Sequence, residues 1–477
     1  MAKQINLQEF LSEAANVRPL SSIRSLFPAE LIPGMVSFLA GKPNASTFPI
    51  EDLTLTLKPD AVGGSHPDGT PIKLSVSGQD LVTALQYGPT AGIPKLVNWL
   101  TEFVSEQHRR PVVKAGHSQD AEVWSLSVGN GSQDLLGKAF EAVLNPGDTA
   151  LVEAPAYSGI LPQIFMLKAT SLAVDSDAEG VCPDRLRKTL EGWKQNSATA
   201  SLKFPKILYT TPTGANPAGT TASEQRKREV LQVAREYNII LFEDDPYYYL
   251  SFVGLGEDKP ETRKRTPSYF ALEKENEQEW GVGRVLRFDS MSKIMSAGLR
   301  IGFVTGPSVL IEAICRHTSI SNLQPAGPPQ AIALALLQHW GRDGFLRHAD
   351  AVATFYQKRR DHFEGAAQKI LGAGGDGQPA VAEWVRPVAG MFLWLKLKLP
   401  PTAEAPEGDS LALISEKAKA ALVLALPGAS FMPGTGTSCY VRISFSIVPE
   451  DQIEVGLQRL RKTIEQEWAD KGLSLSS

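Results

Sequence analysis

The stretch Asp289-Ser290-Met291-Ser292-Lys293-Ile294-Met295-Ser296-Ala297-Gly298-Leu299-Arg300 places a lysine just past an apolar run, among small and hydroxyl-bearing residues. In such a pocket an ammonium loses hydration, so the neutral amine is favoured and can condense with an aldehyde. A lysine at a strand end is otherwise most often exposed to water. Gly131-Ser132-Gln133 opens a predicted helix, where free backbone N–H groups and the positive end of the helix dipole would hold a phosphate or serve as an ordinary cap. Asn216-Pro217-x-Gly219 follows a strand, so Asn216 is read as a ligand group or a turn residue. Asp244 and Tyr247 follow the apolar residues 239–242, with Asp245-Pro246 breaking the chain between them. In Tyr440-Val441-Arg442-Ile443-Ser444-Phe445, Arg442 shares a strand face with Tyr440 and Ser444, and its bland reading is an edge-strand arginine in water.

Other chemistries find no support. The seven histidines show no i,i+4 pair and no zinc spacing. Gly372-Ala373-Gly374-Gly375-Asp376-Gly377 spells GxGxxG but follows a helical segment and leads into Gln378-Pro379, which speaks against a nucleotide loop. With 48 Lys and Arg against 52 Asp and Glu, the net charge of -4 gives no general attraction to nucleic acid or anionic membrane. The short basic runs 108–110 and 263–265 read as solvated helix ends or loops. The apolar stretches 331–337 and 420–426 fall well short of the roughly 20 residues that span a bilayer, and read as core. Three dispersed cysteines and the lack of a signal or transit pattern point to a cytoplasmic protein.

The 477 residues suffice for two or three domains. Short apolar runs at 123–128, 149–152, 206–210, 239–242, 285–288 and 301–305 alternate with helical periodicities such as 133–144 and 224–237, the pattern of an α/β domain on a mostly parallel sheet. Residues 254–280 are charged with little periodicity and read as a surface excursion. A long helix beyond 343, a strand near 390–397 and an amphipathic helix near 452–468 predict a smaller α+β domain. The expected limits are 1–60 for an N-terminal arm and part of the small domain, 61–345 for the large domain and 346–477 for the rest.

Taken together, Ser290-x-Ser292-Lys293-x-x-x-x-Gly298-Leu299-Arg300, Asn216-Pro217-x-Gly219 and Asp244-x-Pro246-Tyr247 resemble the class I, fold-type I aminotransferases that use pyridoxal 5'-phosphate. The likeness covers residues 20–465 or so. Within the family it leans to the 2-aminoadipate, aromatic and kynurenine branch, through Leu85-Gln86-Tyr87-Gly88-Pro89-Thr90-Ala91-Gly92, Glu153-Ala154-Pro155-Ala156-Tyr157, Glu243-Asp244-Asp245-Pro246-Tyr247-Tyr248 and Gly390-Met391-Phe392-Leu393-Trp394.

The resemblance implies a large cofactor domain with a seven-stranded type of sheet and a small domain made from both chain ends. It implies that Lys293 holds the cofactor covalently and moves a proton, that Asp244 pairs with the ring nitrogen, and that Asn216 and Tyr247 bond the ring oxygen. Tyr157 would stack on the ring. Ser132, Gln133, Ser290 and Arg300 would grip the phosphate, joined by Tyr87 from a partner subunit, hence a homodimer. Arg442 would bind the substrate α-carboxylate bidentately. Ser21-Ser22-Ile23-Arg24 matches an N-terminal motif of the branch, so Arg24 would meet a distal carboxylate, whereas the segment around Gly41 departs from the branch and is one residue shorter. The implied reaction moves the amino group of an aromatic amino acid or 2-aminoadipate to 2-oxoglutarate, with lysine synthesis or aromatic metabolism as the setting. The alternatives are kynurenine-specific transamination, decarboxylation, elimination, or a non-catalytic regulator that binds the same cofactor.

Overall fold

The structure is a computed structural model and describes residues 5–19, 21–39, 41–112, 123–253, 265–372, 378–434 and 436–475. A hairpin of β1 (Asp52–Thr56) and β2 (Lys73–Ser77) precedes the main sheet. That sheet is built from the apolar runs, which are hydrophobic on both faces because both faces are covered. Its strands are β3 (Trp124–Gly129), β4 (Thr149–Ala154), β5 (Thr170–Asp177), β6 (Gly180–Val181), β7 (Ile207–Thr210), β8 (Ile240–Asp244), β9 (Val285–Ser290) and β10 (Gly302–Pro307). Their spatial order is β3-β10-β9-β8-β7-β4-β5-β6. Strands β9, β8, β7, β4 and β5 run parallel, and β10 lies antiparallel between β3 and β9. The expected mostly parallel sheet is present, with two-residue β6 as an addition that folds back on β5. Sequence reading passes over β5, whose side chains are largely half-exposed or exposed and include Ser176 and Asp175.

Strand alternation divides the core. Leu208 and Leu241 face one apolar cluster, with Leu100, Phe103 and Phe345, while Tyr209 and Phe242 face another, with Phe140 and Leu310. Ile5, Leu7 and Phe10 also join that second cluster, packed near the helices Ser132–Val143 and Ser308–Ser321. This part of the N-terminal stretch therefore lies against the main sheet, not in the small domain.

The small domain carries an antiparallel sheet of β11 (Ala382–Glu383), β12 (Phe392–Leu397), β13 (Leu426–Pro427) and β14 (Tyr440–Ser444), in the order β11-β12-β14-β13. The helix Gly327–Ile370, broken at Gly341 (φ 62°), joins the two units, so the expected limit at 345 falls inside an element.

Three sequence readings are corrected. Within 254–280, residues 254–264 lie outside the described residues, but Tyr269, Phe270 and Leu272 are core, and the Tyr269 and Phe270 N–H groups donate to the Glu243 carboxylate at 2.8 and 3.1 Å. In the basic run 108–110, His108 and Arg110 are buried, because Ser268 Oγ meets His108 Nδ1 and Arg110 donates to the Phe270 carbonyl. The stretch 420–426 is not core: Leu422 and Leu424 are 75% and 84% exposed. The GxGxxG spelling falls mainly on 373–377, outside the described residues.

Candidate active site

Parallel strands place their carboxyl ends on one edge of the sheet, where open α/β sheets bind ligands. At this edge β8 ends on Asp244, β9 ends on Ser290 and leads into the turn Met291–Lys293, β3 leads to Gly131, and the loop after β7 reaches Asn216. Antiparallel β10 begins beside them, just after Arg300.

Lys293 is partly buried. Burial lowers its ammonium pKa from the ordinary 10.5, the cations Arg300 and Arg442 push it the same way, and Asp244 opposes them. Asp244 is buried, which raises its carboxyl from 3.8 to about 7 despite the hydrogen bond that Tyr209 donates. That bond runs from the Tyr209 hydroxyl to Oδ2 at 2.6 Å. Oδ1 is buried and has no partner among the described residues.

An anion cup forms where Gly131 (φ 88°) precedes the helix Ser132–Val143. A Cβ at Gly131 would run into the Arg300 guanidinium, so the close approach requires glycine. Arg300 Nη1 donates to Ser292 Oγ and to the Ala297 carbonyl, both at 3.2 Å. Ser290 Oγ accepts the Ser292 N–H at 3.2 Å. Gln133 Nε2 donates to the Gly159 carbonyl at 2.8 Å, while its Oε1 is buried without a partner among the described residues.

Arg442 comes from the other unit. Its strand β14 is paired on both sides, by β12 and β13, so this is an inner-strand arginine and not the edge-strand residue of the bland reading. Nη1 donates to Asn216 Oδ1 at 2.9 Å, and the guanidinium carbon lies 4.4 Å from the Phe392 ring centre and 5.1 Å from that of Phe431. Among the described residues its buried Nε has no hydrogen-bond partner. Tyr247 is buried edge-on to Phe392, and Tyr157 is half-buried. Burial first, and Asp244 next, raise both phenols above their ordinary range.

Other expected residues are not gathered in this chain. Tyr87 is 51% exposed, and Gly41 is exposed with open space around it. Arg24 opens the short 3-10 helix Arg24–Leu31, and its side chain lies outside the described residues.

Sequence reasoning missed two groups behind the site. One is Tyr209. The other is Arg287, fully buried, which donates to both Asp289 oxygens at 2.8 and 2.9 Å and to Asp245 at 3.0 Å, with Glu243 at 3.1 Å. A charged Arg-x-Asp inside the apolar β9 run was the available signal.

A family model described as aminotransferase class I and II matches residues 72–460. The aminotransferase tdiD of Emericella nidulans is 41% identical over 445 residues, covering 93% of each chain. A Bos taurus protein named kynurenine/alpha-aminoadipate aminotransferase, mitochondrial, is 36% identical, covering 97% of this chain and 100% of the relative. The crystal structure of aminotransferase Aro8 from Candida albicans matches with a TM-score of 0.81 at 26% identity, covering 98% of this chain and 99% of that one. On this agreement along nearly its whole length, the chain belongs to the class I and II aminotransferases.

Proposed function

We propose that this aminotransferase uses pyridoxal 5'-phosphate to move the amino group of an aromatic amino acid or 2-aminoadipate to 2-oxoglutarate, in a ping-pong cycle, as a cytoplasmic homodimer. The observation that carries the reading is the convergence of Asp244, Arg300 and Arg442 on Lys293, whose charge each of them influences. The residues fit the cofactor: a buried carboxylate oxygen lacks a donor among the described residues, Gly131 lies against Arg300, and an amine of lowered basicity feels both Asp244 and Arg300.

When bound, the cofactor supplies an aldehyde for the amino group and a ring that accepts electrons. Ser132, Gln133, Ser290 and Arg300 would hold its phosphate, Asn216 and Tyr247 its ring oxygen, Asp244 Oδ1 its ring N–H, and Tyr157 would cover its face. Lys293 Nζ, held uncharged more readily by burial, would take up and give back the proton at the substrate Cα. The Arg442 fork, steadied by Asn216 and two phenylalanine rings, binds the α-carboxylate and so fixes which bond to Cα is broken. Arg24 and Gly41 border the substrate side chain in this reading.

The 2-aminoadipate part of this range, and kynurenine beside it, is supported by the bovine relative, a kynurenine/alpha-aminoadipate aminotransferase. A second copy is supported by the large apolar and aromatic side chains left exposed in the N-terminal part of the chain, Val36 (75%), Phe38 (96%) and Tyr87 (51%), of the kind that interfaces cover. The cytoplasm is supported by three unpaired cysteines. Cell fractionation checks this, and recovery with mitochondria overturns it.

The test is a half-reaction screen with tryptophan, phenylalanine, tyrosine, kynurenine and 2-aminoadipate, following conversion of the aldehyde chromophore to the amine form. Equal yields of 2-oxo acid and glutamate are expected on adding 2-oxoglutarate. Release of carbon dioxide or free ammonia in their place overturns the reaction, and a borohydride-trapped label on any residue other than Lys293 overturns the site.

A further inference from the structure

We propose that Tyr209 is a positioning residue that holds the Asp244 carboxylate with one oxygen occupied and the other free for the cofactor ring nitrogen, an inference that rests on the reading of Asp244 given above. Tyr209 lies on β7, the strand beside β8, and is fully buried with its ring 6.2 Å from that of Phe140. Its hydroxyl is the donor to Oδ2 at 2.6 Å, and Oδ1 is left buried without a partner among the described residues. A carboxylate with both oxygens free could turn about its own bond, whereas one held by a buried charge-assisted hydrogen bond presents a single fixed acceptor.

A further contact bears on the direction of the phenol proton. Thr211 Oγ1 lies 3.4 Å from the phenol oxygen as donor, which leaves the phenol proton for Asp244. The Thr211 N–H is itself tied to Glu153 Oε2 at 2.9 Å, and Thr210 Oγ1 donates to the same oxygen at 2.5 Å. The line Glu153, Thr211, Tyr209, Asp244 thus runs through the interior from β4 to β8. Burial, and then Asp244, keep the Tyr209 phenol protonated, so it remains a donor at any working pH.

The experiment compares binding of two ligands to cofactor-free protein: pyridoxal 5'-phosphate, and its 1-deaza analogue in which C–H replaces the ring nitrogen. Tyr209→Phe removes one oxygen and keeps the ring packing. It is expected to weaken binding of pyridoxal 5'-phosphate about tenfold while leaving that of the deaza analogue as in the parent. A merely structural role would weaken both alike. Thr211→Val, which removes the donor behind the phenol, is expected to lower the same preference by a smaller factor, and a preference unchanged in both variants, or equal losses for both ligands, overturns the proposal. Asp244→Ala separates this from the underlying reading. If Asp244→Ala weakens both ligands alike, the assignment of Asp244 falls; if it weakens pyridoxal 5'-phosphate selectively and Tyr209→Phe does not, only the role of Tyr209 falls.

Discussion

Arg442 and Asp244 show how much a single side chain depends on what surrounds it. The Arg442 guanidinium is clamped by Asn216 and flanked by Phe392 and Phe431, so its fork is already oriented. Lysine would keep the charge and lose the two parallel bonds. Arg442→Lys is therefore expected to raise KM for the amino donor by about 10- to 100-fold, at 1.4 kcal/mol per tenfold, with kcat less affected; steady-state kinetics with an aromatic donor checks this. Asp244 makes a pH prediction. Its carboxyl is raised from 3.8 to about 7 by burial, so the folded cofactor-free chain keeps a proton that the unfolded chain has released across that range. The stability this group contributes is fully present below pH 3.8 and is lost as pH rises through about 7. Denaturant unfolding at pH 5 and pH 8 is expected to show the cofactor-free parent losing more stability than Asp244→Asn, by about 1.4 kcal/mol for each pH unit crossed within the window. Glu153, raised to about 7 by burial, contributes to both chains and cancels in the comparison. Equal pH dependence in the two chains would remove Asp244 as the source.

Among the elements, the shared direction of β3, β7, β8 and β9 sends their following loops to one edge, and the close approach of Arg300 to the start of a helix finishes the anion cup. Gly131→Ala is expected to displace Arg300 and weaken pyridoxal 5'-phosphate binding about tenfold or more, since the added Cβ meets the guanidinium at a left-handed backbone position. Equilibrium dialysis on cofactor-free protein reads this, and an unchanged affinity would show that the cup tolerates the extra atom. At this scale the strands around the site were legible because buried parallel strands are apolar throughout. Strand β5 was not, since it is exposed enough to carry polar residues.

For the whole molecule, the two units meet at the site. The main sheet supplies Lys293 and Asp244, the small sheet supplies Arg442, and backbone bonds such as Ala156 N–H to the Phe431 carbonyl at 2.8 Å join them. The proposed homodimer, with Tyr87 shared across subunits, makes a complementation prediction. In a mixture of Tyr87→Phe and Lys293→Ala chains, the mixed dimer contains one site with both Lys293 and Tyr87. That site is expected to regain the parent affinity for pyridoxal 5'-phosphate that Tyr87→Phe homodimers lack. Absence of recovery, with mixed dimers shown by mass, would place Tyr87 outside the partner's site.

The amino-acid sequence by itself determined the family motifs and the kind of sheet that carries them, because a motif and an apolar periodicity are local properties that survive without knowledge of the fold. Lys293, Asp244, Asn216 and Arg300 could be named as candidates for that reason. Only the tertiary structure decided that Arg442 sits on an inner strand, that His108 and Arg110 are hidden from water, and that Tyr209 bonds Asp244 across 35 positions of chain. Each of these depends on which strands and helices become neighbours. A polar group is stable in the interior only when distant segments bring it a partner, and no local pattern of residues encodes that meeting.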